Sequence, residues 1–225
     1  LRRPLNSSHV TAVYAGIRPL VSRSGGSTAS LSRDHVVVVS RSGLVTVTGG
    51  KLTTYRRMAQ DAVDAVARLE GTRRPSSTHR ILLSGATGVE EAARELENAG
   101  LDPDQRDHLL ATYGSCAADV LRLAREDPTL GVRLVPELPH LLAEVAYACR
   151  AEYAVTLTDC LYLRTRIAVL DGEAADRAAP AVAQQMAREL GWGPEELARQ
   201  IQEYRDLRGR DEAWRATSLE LARTP

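Results

Sequence analysis

The spacing of apolar and polar positions changes near residue 53 of this 225-residue chain. Before it, short apolar runs are separated by clusters of Ser, Gly and Arg. After it, apolar positions recur every three or four residues. The run Val10 to Ile17 ends at Gly16-Ile17-Arg18-Pro19 and predicts a strand. Residues 22–32, rich in Ser and Gly, predict an exposed loop. Val36-Val37-Val38-Val39 reads as a buried β run, Arg41-Ser42-Gly43 as a tight turn, and Leu44 to Thr48 as a second strand. The resulting hairpin feeds straight into Gly49-Gly50.

Met58, Ala62, Val66 and Leu69 then mark one face of an amphipathic helix. Residues 71–78, with Pro75 and two serines, read as a linker. Helical signals follow. Val89 to Ala99 stops at Gly100, placed as a C′ glycine. Leu109 to Tyr113 stops at Gly114, and Ser115 is a candidate cap for a helix reaching about Glu126. Leu141, Leu142, Val145 and Cys149 form one stripe. Leu161 to Leu170 and Ala174 to Leu190 read as helices, the latter with Pro180 near its start. Gly193-Pro194-Glu195-Glu196 combines Pro at the first helical position with acids in the first turn. Leu197, Ile201, Tyr204 and Leu207 would be that helix's buried face. The fold class expected is an α/β segment, hairpin strands plus a helix, over residues 1–75, followed by an all-α helical domain over 80–225. There is no internal repeat.

Composition narrows the picture. Apolar residues make up 44% and aromatics only 4%, with no Phe, so the core must be built from Leu, Val and Ala. Lys+Arg and Asp+Glu both number 29, which excludes bulk electrostatic capture of nucleic acid. The three cysteines, Cys116, Cys149 and Cys160, lack metal-ligand spacing and read as reduced, buried thiols of a cytoplasmic protein. No apolar stretch approaches the ~18 residues of a membrane-spanning helix, which leaves peripheral membrane contact open. The start, Leu1-Arg2-Arg3-Pro4, has no initiator Met and no signal peptide and is soon strand-like, so the chain is expected to be a piece lacking its beginning.

One lysine, Lys51, stands against 28 arginines. With few Asn and Ile and no Phe, the usage fits a GC-rich genome that writes Arg wherever either cation serves. A single retained ammonium suggests a place where the broad, planar guanidinium does not fit. Lys51 sits in Gly49-Gly50-Lys51-Leu52-Thr53-Thr54-Tyr55-Arg56, between a strand and a helix. Such a junction presents backbone N–H groups to anions and polar ligand edges. A phosphate-binding loop of the Gly-x4-Gly-Lys-Ser/Thr type fails twice, because position 45 is Val45 and Leu52 follows the lysine.

Tyr14-Ala15-Gly16-Ile17-Arg18-Pro19-Leu20, Ser32-Arg33-Asp34-His35 and Gly43 through Arg56 occur in that order. Together they resemble the C-terminal half of FAD-dependent glycerol-3-phosphate dehydrogenases. Tyr113-Gly114 and the segment Thr156 to Arg166 are similar to that family's helical C-terminal domain. The resemblance implies oxidation of sn-glycerol 3-phosphate to dihydroxyacetone phosphate with FAD as cofactor and a quinone as electron acceptor, at the inner face of a membrane. It implies that Arg18 and Arg33 bind substrate, with Arg18 acting in catalysis. It also implies that Gly49, Gly50, Lys51, Leu52 and Thr53 lie along the flavin edge. Lys51 would there stabilise charge gathering on the reduced ring. A phosphate monoester suits a bidentate guanidinium, and Pro19 would hold Arg18 extended. His35 reads as a satisfied loop histidine rather than a base. The family's Gly-x-Gly-x-x-Gly signature, which grips the FAD pyrophosphate, is absent from this sequence, so the isolated chain is expected to bind FAD poorly and to be inactive. Two other readings stay open: a related FAD-dependent amine oxidase, and a catalytically silent helical module used in homodimer or membrane-surface contacts.

Overall fold

A computed structural model describes residues 9–13, 16–17, 34–72 and 74–221. The chain divides into two compact units, one of residues 15–83 and one of residues 1–14 together with 84–225.

In the first unit, β1 (His35–Val39) and β2 (Val45–Gly49) pair antiparallel, from His35 opposite Gly49 to Val39 opposite Val45. The turn closes through Ser40 N–H to Leu44 O at 3.0 Å and Gly43 N–H to Ser40 O at 3.1 Å, with Gly43 at φ 85°. The hairpin expected from the valine run is therefore formed. Its burial is not: Val38 is 52% and Val39 42% exposed. Among the described residues the sheet has only these two strands, so β-branched side chains at its far end have nothing to pack against.

A 3-10 turn, Leu52–Thr54, leads into α1 (Tyr55–Leu69), which packs on both strands. Met58, Asp61, Ala62 and Ala65 make the covered face, with Ala65 fully buried. Val66 and Leu69, read from the sequence as part of that face, are exposed because α1 outlasts the short strands beneath it.

The second unit is helical. It comprises α2 (Val89–Glu97), α3 (Pro103–Tyr113), α4 (Ala117–Glu126), α5 (Leu142–Ala151), a π-helical turn at Asp159–Arg164, α6 (Ile167–Leu170), α7 (Gly172–Leu190) and α8 (Pro194–Leu221). Two apolar clusters hold it together. Leu96, Leu109, Val120, Leu121 and Leu141 build one; Val145, Leu157, Leu161, Val182, Met186 and Tyr204 build the other. α5 serves both, giving Ala143 and Ala146 to the first and Val145 and Ala148 to the second. α7 buries Ala174, Ala175, Ala178, Ala179 and Ala183, and these small side chains let its neighbours approach closely.

Several local expectations change. The strand predicted over Val10–Ile17 does not form among its described residues, 10–13 and 16–17. The Thr11 carbonyl instead accepts the Gly172 N–H at 3.1 Å, and its hydroxyl donates to the Leu170 carbonyl at 2.8 Å. α3 starts at Pro103, well before Leu109, because Asp102 and Gln105 make a capping box whose Gln105 side chain accepts from the Asp102 N–H at 3.0 Å. Ser115 caps nothing: Gly114–Cys116 is itself a 3-10 turn, and α4 starts after Cys116. Leu161 to Leu170 is not one helix but a π turn and a short α6, broken at Arg166 with φ 60°.

The start of α8 is as expected. Its buried face carries polar residues too: Gln200 (3% exposed) and Arg208 (5%) join Tyr204. Tyr204 donates to Asp176 at 2.8 Å, Arg208 bonds Asp176 at 3.1 Å and Glu212 at 2.7 Å, and Tyr162 bonds Asp211. This polar seam fastens α8 to α7 and to the π turn.

Candidate functional site

The glycine pair follows from the local geometry. β2 ends at Gly49 with φ 76°, and Gly50 follows at φ 86°, both in the region that favours glycine. A Cβ on Gly50 would lie 2.5 Å from the Met58 sulfur and 3.1 Å from the His35 Cβ. Two consecutive left-handed residues swing the chain off the strand and deliver Lys51, in extended geometry, to the start of the 3-10 turn. The Thr54 hydroxyl donates to the Lys51 carbonyl at 3.0 Å and accepts from the Lys51 N–H at 3.3 Å, which fixes the turn.

Lys51, Leu52 and Thr53 are all exposed, Leu52 at 89%. An apolar side chain, a free ammonium and the first N–H groups of a helical run thus share one projecting turn. N–H groups at such an end have no upstream helical carbonyl to bond and carry partial positive charge. The arrangement suits the flat, hydrogen-bonding edge of an anionic or reducible ring.

Behind the turn, His35 opens β1 and is not a loop residue. Its Nε2 lies 2.8 Å from Asp61 Oδ2, and Arg57 also bonds Asp61, at 3.2 Å. The hydrogen bond from His35 holds the Asp61 carboxyl below the usual range; burial opposes this and Arg57 adds to it. His35 thus anchors the N-terminal half of α1 to β1, beside Gly50. Of the sequence-predicted site residues, Gly49, Gly50, Lys51, Leu52 and Thr53 come together at this turn. Arg18 and Arg33 lie outside the described residues.

The helical unit holds a second polar constellation that the sequence reading did not find. Glu144 on α5 is completely buried. Its Oε1 accepts the Leu141 N–H at 2.7 Å; its Oε2 accepts the Tyr113 hydroxyl at 2.9 Å and lies 2.9 Å from His108 Nε2. The His108 ring stacks at 4.2 Å, tilted by 55°, against His140, whose Nε2 lies 3.0 Å from the Thr165 carbonyl oxygen. Burial pushes the His140 pKa down and His108 pushes the same way, while Glu144 and the Thr165 bond pull it up. Burial, with the Glu144 charge and hydrogen bond adding to it, pushes the Tyr113 phenol far up. In the sequence, Glu144 sits inside the apolar stripe Leu141-Leu142-Val145, and that interruption was the available signal. Among the described residues no group of His, Cys, Asp and Glu could hold a metal, and no helix is long and apolar enough to cross a membrane.

Residues 76–197 match the family model described as the C-terminal domain of alpha-glycerophosphate oxidase. The chain is 38% identical over 220 residues to the mitochondrial glycerol-3-phosphate dehydrogenase of Homo sapiens, covering 94% of this chain and 30% of that protein. It is 39% identical over 209 residues to glycerol-3-phosphate dehydrogenase 2 of Mycobacterium bovis, covering 91% of this chain and 36% of that one. Among solved structures, the glycerol-3-phosphate dehydrogenase of Bacillus halodurans complexed with FAD superposes with a TM-score of 0.67 at 30% identity, over 80% of this chain and 38% of that one. The chain thus spans about a third of the length of these relatives.

Proposed function

The chain belongs to the glycerol-3-phosphate oxidase and dehydrogenase family, and from that premise we propose that it works within an FAD-dependent enzyme oxidising sn-glycerol 3-phosphate to dihydroxyacetone phosphate. In this reading residues 1–75 belong to the flavin- and substrate-binding domain, and residues 80–225 form the helical C-terminal domain. FAD, when bound, accepts the two electrons of the oxidation. A quinone at the inner face of a membrane then receives them, the protein being cytoplasmic and peripheral.

The observation that carries the reading is the Gly49–Thr53 turn. Gly50 is held at φ 86°, a conformation that favours glycine, so the backbone there is bare and its direction set. Its N–H groups and Lys51 would meet the polar edge of the ring. Lys51 would offset negative charge that develops there, and Leu52 would cover part of the ring face. Arg18 and Arg33 would grip the substrate phosphate, Arg18 holding the substrate in register for oxidation.

The test is Arg18→Lys and Arg18→Ala in the FAD-loaded holoenzyme. A planar fork holds two phosphate oxygens, whereas an ammonium offers a point charge. Loss of one charge-assisted contact costs about 1.5–3 kcal/mol, or roughly ten- to a hundredfold in kcat/KM. FAD content should stay intact, and the preference for glycerol 3-phosphate over plain glycerol should narrow. An unchanged preference with normal kcat/KM removes Arg18 from the phosphate site. Assaying the same holoenzyme with a soluble quinone and with oxygen separates a dehydrogenase from an oxidase.

A further inference from the structure

The helical unit contains a cleft of about 450 Å³ that the flavin and substrate roles do not use. Its walls come from α3, through His108, Thr112 and Tyr113; from His140, two residues before α5; from Glu152 just after α5; and from Arg164 and Arg166 at the π-turn break. The volume lies in the range of small-ligand sites.

Three features of the wall are unexplained by packing. First, Arg166 is exposed and held at φ 60°, one of two non-glycine residues with positive φ among those described. That conformation is unfavourable for a residue with a Cβ, and it turns Arg166 onto the same cleft as Arg164. Second, neither guanidinium has a carboxylate at ion-pair distance among the described residues. Arg164 spends only its Nε, on the Glu152 backbone carbonyl at 2.8 Å, leaving both terminal nitrogens to the cleft. Third, His140 is 2% exposed, and its Nδ1 makes no hydrogen bond although it is buried at the cleft wall. A buried polar atom without a partner is uncommon in a folded protein and calls for a ligand or a water.

We propose that this cleft is a second binding site, for a phosphate monoester that also carries a free hydroxyl. Two guanidiniums flanking Thr165 suit a phosphate dianion, which takes paired, charge-assisted hydrogen bonds. Glu152 makes no side-chain hydrogen bond among the described residues and faces the same space, so it is the acceptor for the ligand's hydroxyl. Burial pushes its carboxyl up, Arg164 pulls it down, and Glu144 adds to the rise. Glu144 does not compete for the arginines, because both its oxygens are taken by Leu141, Tyr113 and His108. The site is built wholly from the helical unit and does not depend on the flavin reading.

The experiment uses glycerol 2-phosphate, whose C2 oxygen is esterified. It therefore has no C2 alcohol to oxidise, and turnover cannot confuse the result. Inorganic phosphate and plain glycerol are the comparison probes. The full chain is labelled in its histidine rings, and the five imidazole signals are followed by NMR during titration. His108 and His140 are assigned from His108→Gln and His140→Gln. Saturable shifts confined to those two rings are expected with glycerol 2-phosphate and, more weakly, with inorganic phosphate, and none with glycerol. Arg166→Gly should weaken binding at least tenfold. Glycine adopts φ 60° freely, so the fold is kept while the guanidinium is lost. Arg164→Gln should act in the same direction, and Glu152→Gln should abolish the preference for glycerol 2-phosphate over inorganic phosphate. Absence of saturable shifts at His108 and His140, or an unchanged affinity in Arg166→Gly, overturns the site. A preference that survives Glu152→Gln overturns the hydroxyl contact.

Discussion

Removing the Glu144 carboxylate should destabilise the helical unit more than any other single side-chain truncation on α5. Glu144→Ala orphans three donors at once: the Leu141 N–H, the Tyr113 hydroxyl and the His108 ring N–H. Leu141 is wholly buried, so its N–H loses its partner with no water at hand, which costs about 1–3 kcal/mol. Tyr113 and His108 border the cleft, where water can enter, so each loses about 0.5–1 kcal/mol. The sum is about 2–5 kcal/mol, a large share of the roughly 5–15 kcal/mol that holds a domain together. Glu144→Gln keeps the volume. Its one oxygen can serve the Leu141 N–H while its amide donates to the Tyr113 oxygen and to a His108 nitrogen in the other tautomer. That rearrangement also avoids burying a charge with no arginine or lysine beside it, and should cost only about 1 kcal/mol. Urea unfolding followed by far-UV circular dichroism gives both numbers from the midpoint at constant slope. A cycle with Tyr113→Phe should show coupling of about 1 kcal/mol, as expected for groups in one network. If Glu144→Ala loses less than about 1 kcal/mol, or loses no more than Glu144→Gln, the carboxylate is not the hub of this cluster.

The other expected outcomes are these. Lys51→Met in the holoenzyme should slow flavin reduction by about 2–4 kcal/mol of barrier, by analogy with a lost oxyanion donor, while FAD retention barely changes; matching stopped-flow rates would leave the lysine without a part in the reaction. Gly172→Ala places a carbon 2.4 Å from Arg208 Nη2 and must push that buried guanidinium off Asp176 and Glu212. It should lower the melting temperature by several degrees, corresponding to about 1–3 kcal/mol, and Arg208→Met should relieve most of the loss. His140 has its pKa lowered by burial, so the unfolded chain takes up the proton first. Its stability contribution is complete above the unfolded value near 6.5 and is lost as pH falls below it toward the folded value. The melting temperature of wild type should therefore fall more steeply between about pH 7 and 5 than that of His140→Gln, and parallel curves would show that His140 does not contribute.

What the sequence revealed, and what it hid, follows from the range of the forces involved. The hairpin and α1 were legible because an apolar period and a Gly-Gly junction are local statements, and the left-handed backbone at Gly49 and Gly50 needs no distant partner. The burial of Val38 and Val39 was misread because a valine run reports propensity, whereas burial depends on what lies across the sheet. The break at Arg166 was illegible for a different reason. Asp159 accepts from the Val155 and Thr156 N–H groups at 3.2 and 3.0 Å, and the Thr165 N–H and hydroxyl both reach back to the Cys160 carbonyl at 2.9 Å. That five-residue reach widens the turn into a π helix and ends it, although the apolar spacing from Leu161 to Leu170 continues as if the helix did. Glu144 was hidden by the same kind of cause. A carboxylate within an apolar stripe is ordinarily read as solvent-facing, and only the arrival of Tyr113 and His108 from α3 makes its burial affordable. The Gly49–Thr53 turn is thus encoded by neighbours in sequence. The arginine-lined cleft is assembled from four separated segments, and only the folded helices bring its groups to one place.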